Sequence, residues 1–239
     1  MANRLLFYRL KKNLANYFTL LNLAAGILAL KYVFEGRYDT AFYLFLAGVF
    51  FDFVDGLVAR ATGTDSEMGL QLDSLADLVT SGLVPGFFIY RLWKEHVPDR
   101  EDVAVLALLI PLASAWRLAK FNVDPRQKSR FHGLPTPFNA LVWMSVGMTL
   151  LHYPDSMAAR FFKRPEVFYA GILISVYLLN SNLPLLSLKK GGNPALKPYK
   201  LILTAFSAIA VSVFFYRAIP LILIVYILLS LYAYKIKKL

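Results

Sequence analysis

The chain has 239 residues, 58% of them apolar and 17% charged, with a mean hydropathy of +0.53 and a net charge of +11. Soluble domains run about 45–50% apolar and about 25% charged, so this composition excludes an ordinary cytosolic protein. It contains no cysteine, which excludes disulfide frameworks, thiolate metal sites and a cysteine nucleophile. On so apolar a chain, the positive charge is read as basic residues facing the cytoplasm and anionic lipid headgroups, not as a nucleic-acid surface.

In chain order, Asn3–Lys12 (NRLLFYRLKK) mixes Leu5, Leu6, Phe7 and Leu10 with four cations. The pattern predicts an N-terminal amphipathic helix over residues 1–13 lying on anionic lipid. Eight apolar runs follow: Leu14–Phe34, Asp39–Arg60, Gly69–Leu92, Val103–Phe121, Pro137–Tyr153, Val167–Leu188, Leu201–Arg217 and Ile219–Tyr234. A spanning helix needs roughly 17–25 residues. The prediction is therefore an all-α, polytopic transmembrane bundle of six core spans over 14–200, followed by a C-terminal helix pair over 201–239. The last two runs are short and hinge at Arg217-Ala218-Ile219-Pro220, as a tilted pair or a hairpin.

With the N-terminus inside, the inner segments collect Arg4, Arg9, Lys11, Lys12, Arg60, Arg117, Lys120, Arg126, Lys128, Arg130, Lys189, Lys190, Lys197, Lys200, Lys235, Lys237 and Lys238. That is the larger share of the Lys and Arg, and orientation follows Lys and Arg. The expectation is an integral protein of a bacterial-type cytoplasmic membrane, with both termini cytoplasmic.

The stretch from Phe51 to Gly82 (FDFVDGLVARATGTDSEMGLQLDSLADLVTSG) places acids where a membrane protein rarely carries them. Asp52 and Asp55 stand near the inner end of the second span, and Asp73 and Asp77 near the inner start of the third. Helical residues three or four apart share a face. The short inner loop Ala61–Met68 makes the spans antiparallel neighbours, so the four carboxylates converge at one depth. Unpaired, they would repel one another and resist desolvation; Arg60 alone cannot neutralise them. Oxygen-only donors favour Mg²⁺ or Mn²⁺ and admit Ca²⁺, and two such ions could clamp a phosphoryl group. A cap role or an ion pathway is the competing reading. In the outer halves of the two spans, the stretches TAFYLFLAGVF and LVTSGLVPGFFIY hold no acid or base, which speaks against a cation transporter and for a site open to the cytoplasm only. Gly56, Ala59 and Gly69 would keep one face open, and Arg60 could grip a phosphate.

Written as spacing, the stretch is Asp52-x2-Asp55-Gly56-x2-Ala59-Arg60-x8-Gly69-x3-Asp73-x3-Asp77. It resembles the signature of the CDP-alcohol phosphotransferase family. Thr19-Leu20-Leu21-Asn22, GLQLDSLADLVTSG, WRLAKFNV (116–123) and FHGLPTP (131–137) are similar to the phosphatidylserine synthase branch. The resemblance implies transfer of a phosphatidyl group from CDP-diacylglycerol to L-serine, releasing CMP, in a homodimer. It also implies metal ligation by Asp52, Asp55, Asp73 and Asp77, Asp77 as the base, and a CDP-lipid pocket lined by Gly56, Ala59, Arg60 and Gly69. Arg117 and Arg130 are candidates for the serine carboxylate or the diphosphate, and Asn122 for a polar contact to serine, with glycerol phosphate or inositol phosphate as alternative acceptors.

Overall fold

The computed structural model describes residues 2–63, 66–124, 133–186 and 194–237, with residues 2–12, 194 and 237 as backbone only. Among these, the chain is helical: α1 Ala2–Phe34, α2 Tyr38–Thr62, α3 Glu67–Asp77, α4 Val84–His96, α5 Leu109–Val123, α6 Thr136–His152, α7 Met157–Phe162, α8 Pro165–Asn180, α9 Lys197–Phe214 and α10 Ile219–Lys237. Four units are long and apolar enough to cross a membrane as single stretches, Asn13–Phe34, Tyr38–Thr62, Glu67–His96 and Pro98–Val123; a fifth, Lys197–Ile236, contains α9 and α10. The protein is a polytopic helical membrane protein.

Several expected boundaries move. No glycine precedes Gly26 and no proline precedes Pro85, so nothing breaks the helix near residue 13; the predicted interfacial segment and the first span lie on one helix. The third run is interrupted by a π-helical segment, Leu78–Leu83, where the Val84 N–H reaches back five residues to the Val79 carbonyl. Pro85 lies just beyond it. A proline lacks the N–H for the ordinary bond and crowds the carbonyl four residues back, and a widened turn relieves both. The sixth run does not reach Leu188 as a helix. It stops at Asn180, and 181–186 run without helix; Pro184 disfavours helical geometry at the residue before it. At 17 and 16 residues, α6 and α8 are short for spanning helices.

The C-terminal pair is a hairpin. Phe215 breaks the helix with φ 51°, and beyond the turn Tyr199 on α9 meets Tyr232 on α10 with ring centroids 6.3 Å apart. Ala210, Ala218 and Ile222 pack near the bend.

One core cluster joins Ala29 and Val33 of α1, Phe42 and Phe45 of α2, Phe88 and Leu92 of α4, and Met144 and Met148 of α6. Helix α1 is pressed against both α2 and the π segment through Thr80, which is buried and donates its Oγ1 proton to the Asn22 carbonyl at 3.1 Å. That approach depends on glycine. A Cβ at Gly26 would sit 2.4 Å from Thr80 Oγ1 and 3.1 Å from its Cα, and one at Gly48 would sit 2.7 Å from Thr80 Cγ2. Gly26→Ala is therefore expected to lower the melting temperature of the detergent-solubilised protein, through an overpacking cost of about 1–3 kcal/mol. An unchanged melt would show that α1 shifts freely, against the packing described here.

Candidate active site

The C-terminal half of α2 and helix α3 build the site. Helix α2 closes on Gly63, which adopts φ 62° and returns its N–H to the Ala59 carbonyl, a left-handed stop suited to glycine. Ser66 opens α3, its Oγ accepting from the Gly69 N–H at 3.0 Å. Both helices pack against α1, and their carboxylates meet there.

Carboxylate oxygens of Asp52, Asp55 and Asp73 lie within 4.8 Å of one another. Asp55 is buried, and Asp52 and Asp73 are half-buried. Asp52 and Asp73 are within hydrogen-bond reach of each other. Two carboxylates this close need a proton or a cation between them. Three acids with only oxygen donors, drawn from two helices, fit a hard divalent ion. Asp77, one turn beyond Asp73 and 8% exposed, stands beside this set without joining it, within electrostatic range of its three members.

Helix α1 holds the acids in place through residues to which sequence reasoning gave no role. Thr19 Oγ1 donates to Asp55 Oδ2 at 2.7 Å, and Asn22 Nδ2 donates to Asp77 Oδ1 at 3.4 Å. Both are buried, at 3% and 0% exposure. The signal was available as polar residues at every third position, Asn13, Asn16, Thr19 and Asn22, which in a helix lie near one face.

The other predicted residues fall as follows. Arg60 is exposed and runs back along α2, so that a Cβ on Gly56 would lie 3.4 Å from its Nη1; its charge reaches Asp55. Ala59 is half-buried on the same stretch. The close contact at Gly69 is with α1, since a Cβ there would sit 3.1 Å from Asn16 Oδ1; Gly69 serves helix packing and the Ser66 cap, whatever else lies near it. Arg117 is buried, donates Nη1 to Thr136 Oγ1 at 3.1 Å, and lies within electrostatic range of Asp77. Asn122 Nδ2 donates to Ser74 Oγ at 2.9 Å, tying the end of α5 to α3 beside Asp73. Arg130, with Arg126, Lys128 and His132, lies outside the described residues.

The profile of the CDP-alcohol phosphatidyltransferase family matches residues 12–181, a span that includes all four aspartates. The chain belongs to this family. Its members use a CDP-alcohol donor, an alcohol acceptor and divalent metals, and the aspartate cluster is where this chain carries suitable ligands.

Among curated relatives, the chain is 33% identical over 132 residues to the CDP-diacylglycerol–serine O-phosphatidyltransferase of Bacillus subtilis, covering 55% of this chain and 73% of that one. It is 33% identical over 129 residues to the enzyme of the same name from Methanocaldococcus jannaschii, covering 54% and 57%. It is 30% identical over 170 residues to the archaetidylserine synthase of Methanothermobacter thermautotrophicus, covering 70% and 67%.

Proposed function

We propose that this protein transfers the phosphatidyl group of CDP-diacylglycerol to the hydroxyl of L-serine, giving phosphatidylserine and CMP. The observation that carries the reading is the meeting of Asp52, Asp55 and Asp73 from two helices, with buried Asp77 beside them and buried Arg117 within its electrostatic range. The serine assignment draws on relatives whose names specify serine as acceptor.

Asp52, Asp55 and Asp73 would hold Mg²⁺ or Mn²⁺, and Asp77 would complete a second position; the ions would supply positive charge to the pyrophosphate and to the departing CMP. Asp77 accepts the serine hydroxyl proton as that oxygen bonds to the lipid-side phosphorus and the bond from phosphorus to the CMP oxygen breaks. Asn22 donates to Asp77 Oδ1, so Oδ2 is the oxygen assigned to this task. Arg60, exposed beside Gly56, grips a phosphate of the donor, while Gly56 and Ala59 keep that face of α2 low. Arg117 takes the acceptor carboxylate, for which a planar guanidinium is suited. With the cations distributed as in the sequence reading, the site opens to the cytoplasm: the lipid enters from the leaflet, and serine and CMP exchange with the cytosol.

The test offers several alcohols to one purified preparation with CDP-diacylglycerol and Mn²⁺. Labelled L-serine is expected in the chloroform-soluble product at least about tenfold faster than glycerol phosphate or inositol phosphate, the discrimination expected of a site that pairs one ion of the preferred acceptor. Incorporation of another alcohol in preference to serine would overturn the acceptor and leave the transfer chemistry standing.

A further inference from the structure

The family match ends at residue 181, yet the chain beyond it reaches back to the acceptor side of the site. After α8 the segment 181–186 passes under α10, which takes both backbone groups of Leu186. The Leu186 N–H donates to Ser230 Oγ at 3.1 Å, and the Tyr226 hydroxyl donates to the Leu186 carbonyl at 3.0 Å. Ser230 in turn donates to the Tyr226 carbonyl at 2.6 Å. Tyr226 and Ser230 are 5% and 0% exposed, four residues apart and so on one face of a helix otherwise built of Ile, Leu and Val around them.

The segment that α10 holds also holds the entry to α6. The Gly133 N–H donates to the Leu183 carbonyl at 3.2 Å and the Leu134 N–H to the Leu178 carbonyl at 2.8 Å. Gly133 has φ +74°, and a Cβ there would lie 2.8 Å from the Leu179 carbonyl oxygen, so only glycine fits the turn. Leu134, Leu185, Leu186 and Tyr226 share one buried cluster. Two residues past Leu134, Thr136 receives the Arg117 guanidinium. Tyr226 also packs edge-on against Phe138 in the first turn of α6, with centroids 5.7 Å apart, and lies within electrostatic range of Arg117.

A series of hydrogen bonds, joined by the short segments 183–186 and 133–136, thus leads from α10 to the one cation buried beside Asp77 among the described residues. Joining α9 to α10 does not need it, since apolar packing already closes that hairpin. We infer that α10 is a wall of the acceptor site, with Tyr226 and Ser230 as positioning residues that set Arg117 through Leu186 and the 133–136 turn. This inference rests on the reading of Arg117 as the anchor of the acceptor carboxylate.

The experiment compares full-length Tyr226→Phe and Ser230→Ala with Arg117→Lys, and with Tyr232→Phe as a control on the exposed face of the same helix. Each protein is measured for KM of L-serine, KM of CDP-diacylglycerol, kcat and melting temperature. Tyr226→Phe and Ser230→Ala are expected to raise the serine KM about three- to tenfold, the effect of one lost neutral hydrogen bond, with the KM of the CDP-lipid unchanged. Tyr232→Phe should match the parent, and Arg117→Lys should raise the serine KM further. A normal serine KM in both α10 variants, alongside a raised one in Arg117→Lys, would overturn the inference and leave the acceptor reading intact. So would a fall in kcat that tracks the melting temperature with both KM values unmoved. A normal serine KM in Arg117→Lys would overturn the acceptor reading itself.

Discussion

Asp77→Asn is expected to lower kcat by about 10²–10⁴-fold, the range for loss of a positioned general base, while the protein still folds and binds CDP-lipid. The carboxamide has the shape of the carboxylate, and its oxygen can still accept from Asn22 Nδ2, so the contact that seats the side chain survives. What is lost is the basic oxygen that takes the acceptor proton. Because Asp77 stands beside the Asp52–Asp55–Asp73 set and not within it, the variant should retain the Mn²⁺ held by those three carboxylates and weaken only the second position. The measurements are turnover in mixed micelles, Mn²⁺ binding by electron paramagnetic resonance, and retention on a CDP-lipid surface. Turnover within a few fold of the parent would remove Asp77 from the role of base.

Asp73→Asn should behave differently. Asp73 belongs to the three-carboxylate set and sits within hydrogen-bond reach of Asp52. Removing one of three charges should weaken Mn²⁺ binding and lower turnover together, by on the order of 10³-fold in rate, since a metal clamp on a phosphoryl group is worth several kcal/mol. Raising Mn²⁺ should recover a much larger part of the activity of Asp73→Asn than of Asp77→Asn, whose basic oxygen no ion replaces. Full activity of Asp73→Asn at limiting Mn²⁺ would separate the cluster from metal binding. The pair of variants thus distinguishes a residue that only ligates from one that is also the base, which their shared spacing on α3 does not.

Much of this was legible in the residues. Apolar runs located the helices because lipid demands lengths of apolar sequence whatever their neighbours. The aspartates could be assigned to one face of each helix from their spacing, because helical periodicity is a local property.

The residues that seat the acids were not legible as such. Thr19 and Asn22 are separated from Asp55 and Asp77 by 36 and 55 positions, and nothing in their own surroundings specifies which carboxylate each will meet. Gly69 likewise meets a partner that its own surroundings do not specify, since a Cβ there would sit 3.1 Å from Asn16 Oδ1 of α1. The π segment was missed because periodicity reasoning assumes an even helix, while Pro85 and the packing of Thr80 between α1 and α2 favour a wide turn.

By itself, then, the sequence determined that the chain crosses a membrane and that four acids stand in pairs on two consecutive helices, since both follow from the order of residues along the backbone. Only the tertiary structure decided that three of those acids meet with Asp77 at their side, that α1 supplies hydrogen-bond donors to Asp55 and Asp77, and that α10 returns to the segment that carries Leu186. Those outcomes depend on which surfaces pack together, and packing is set by the shapes of groups far apart in the chain.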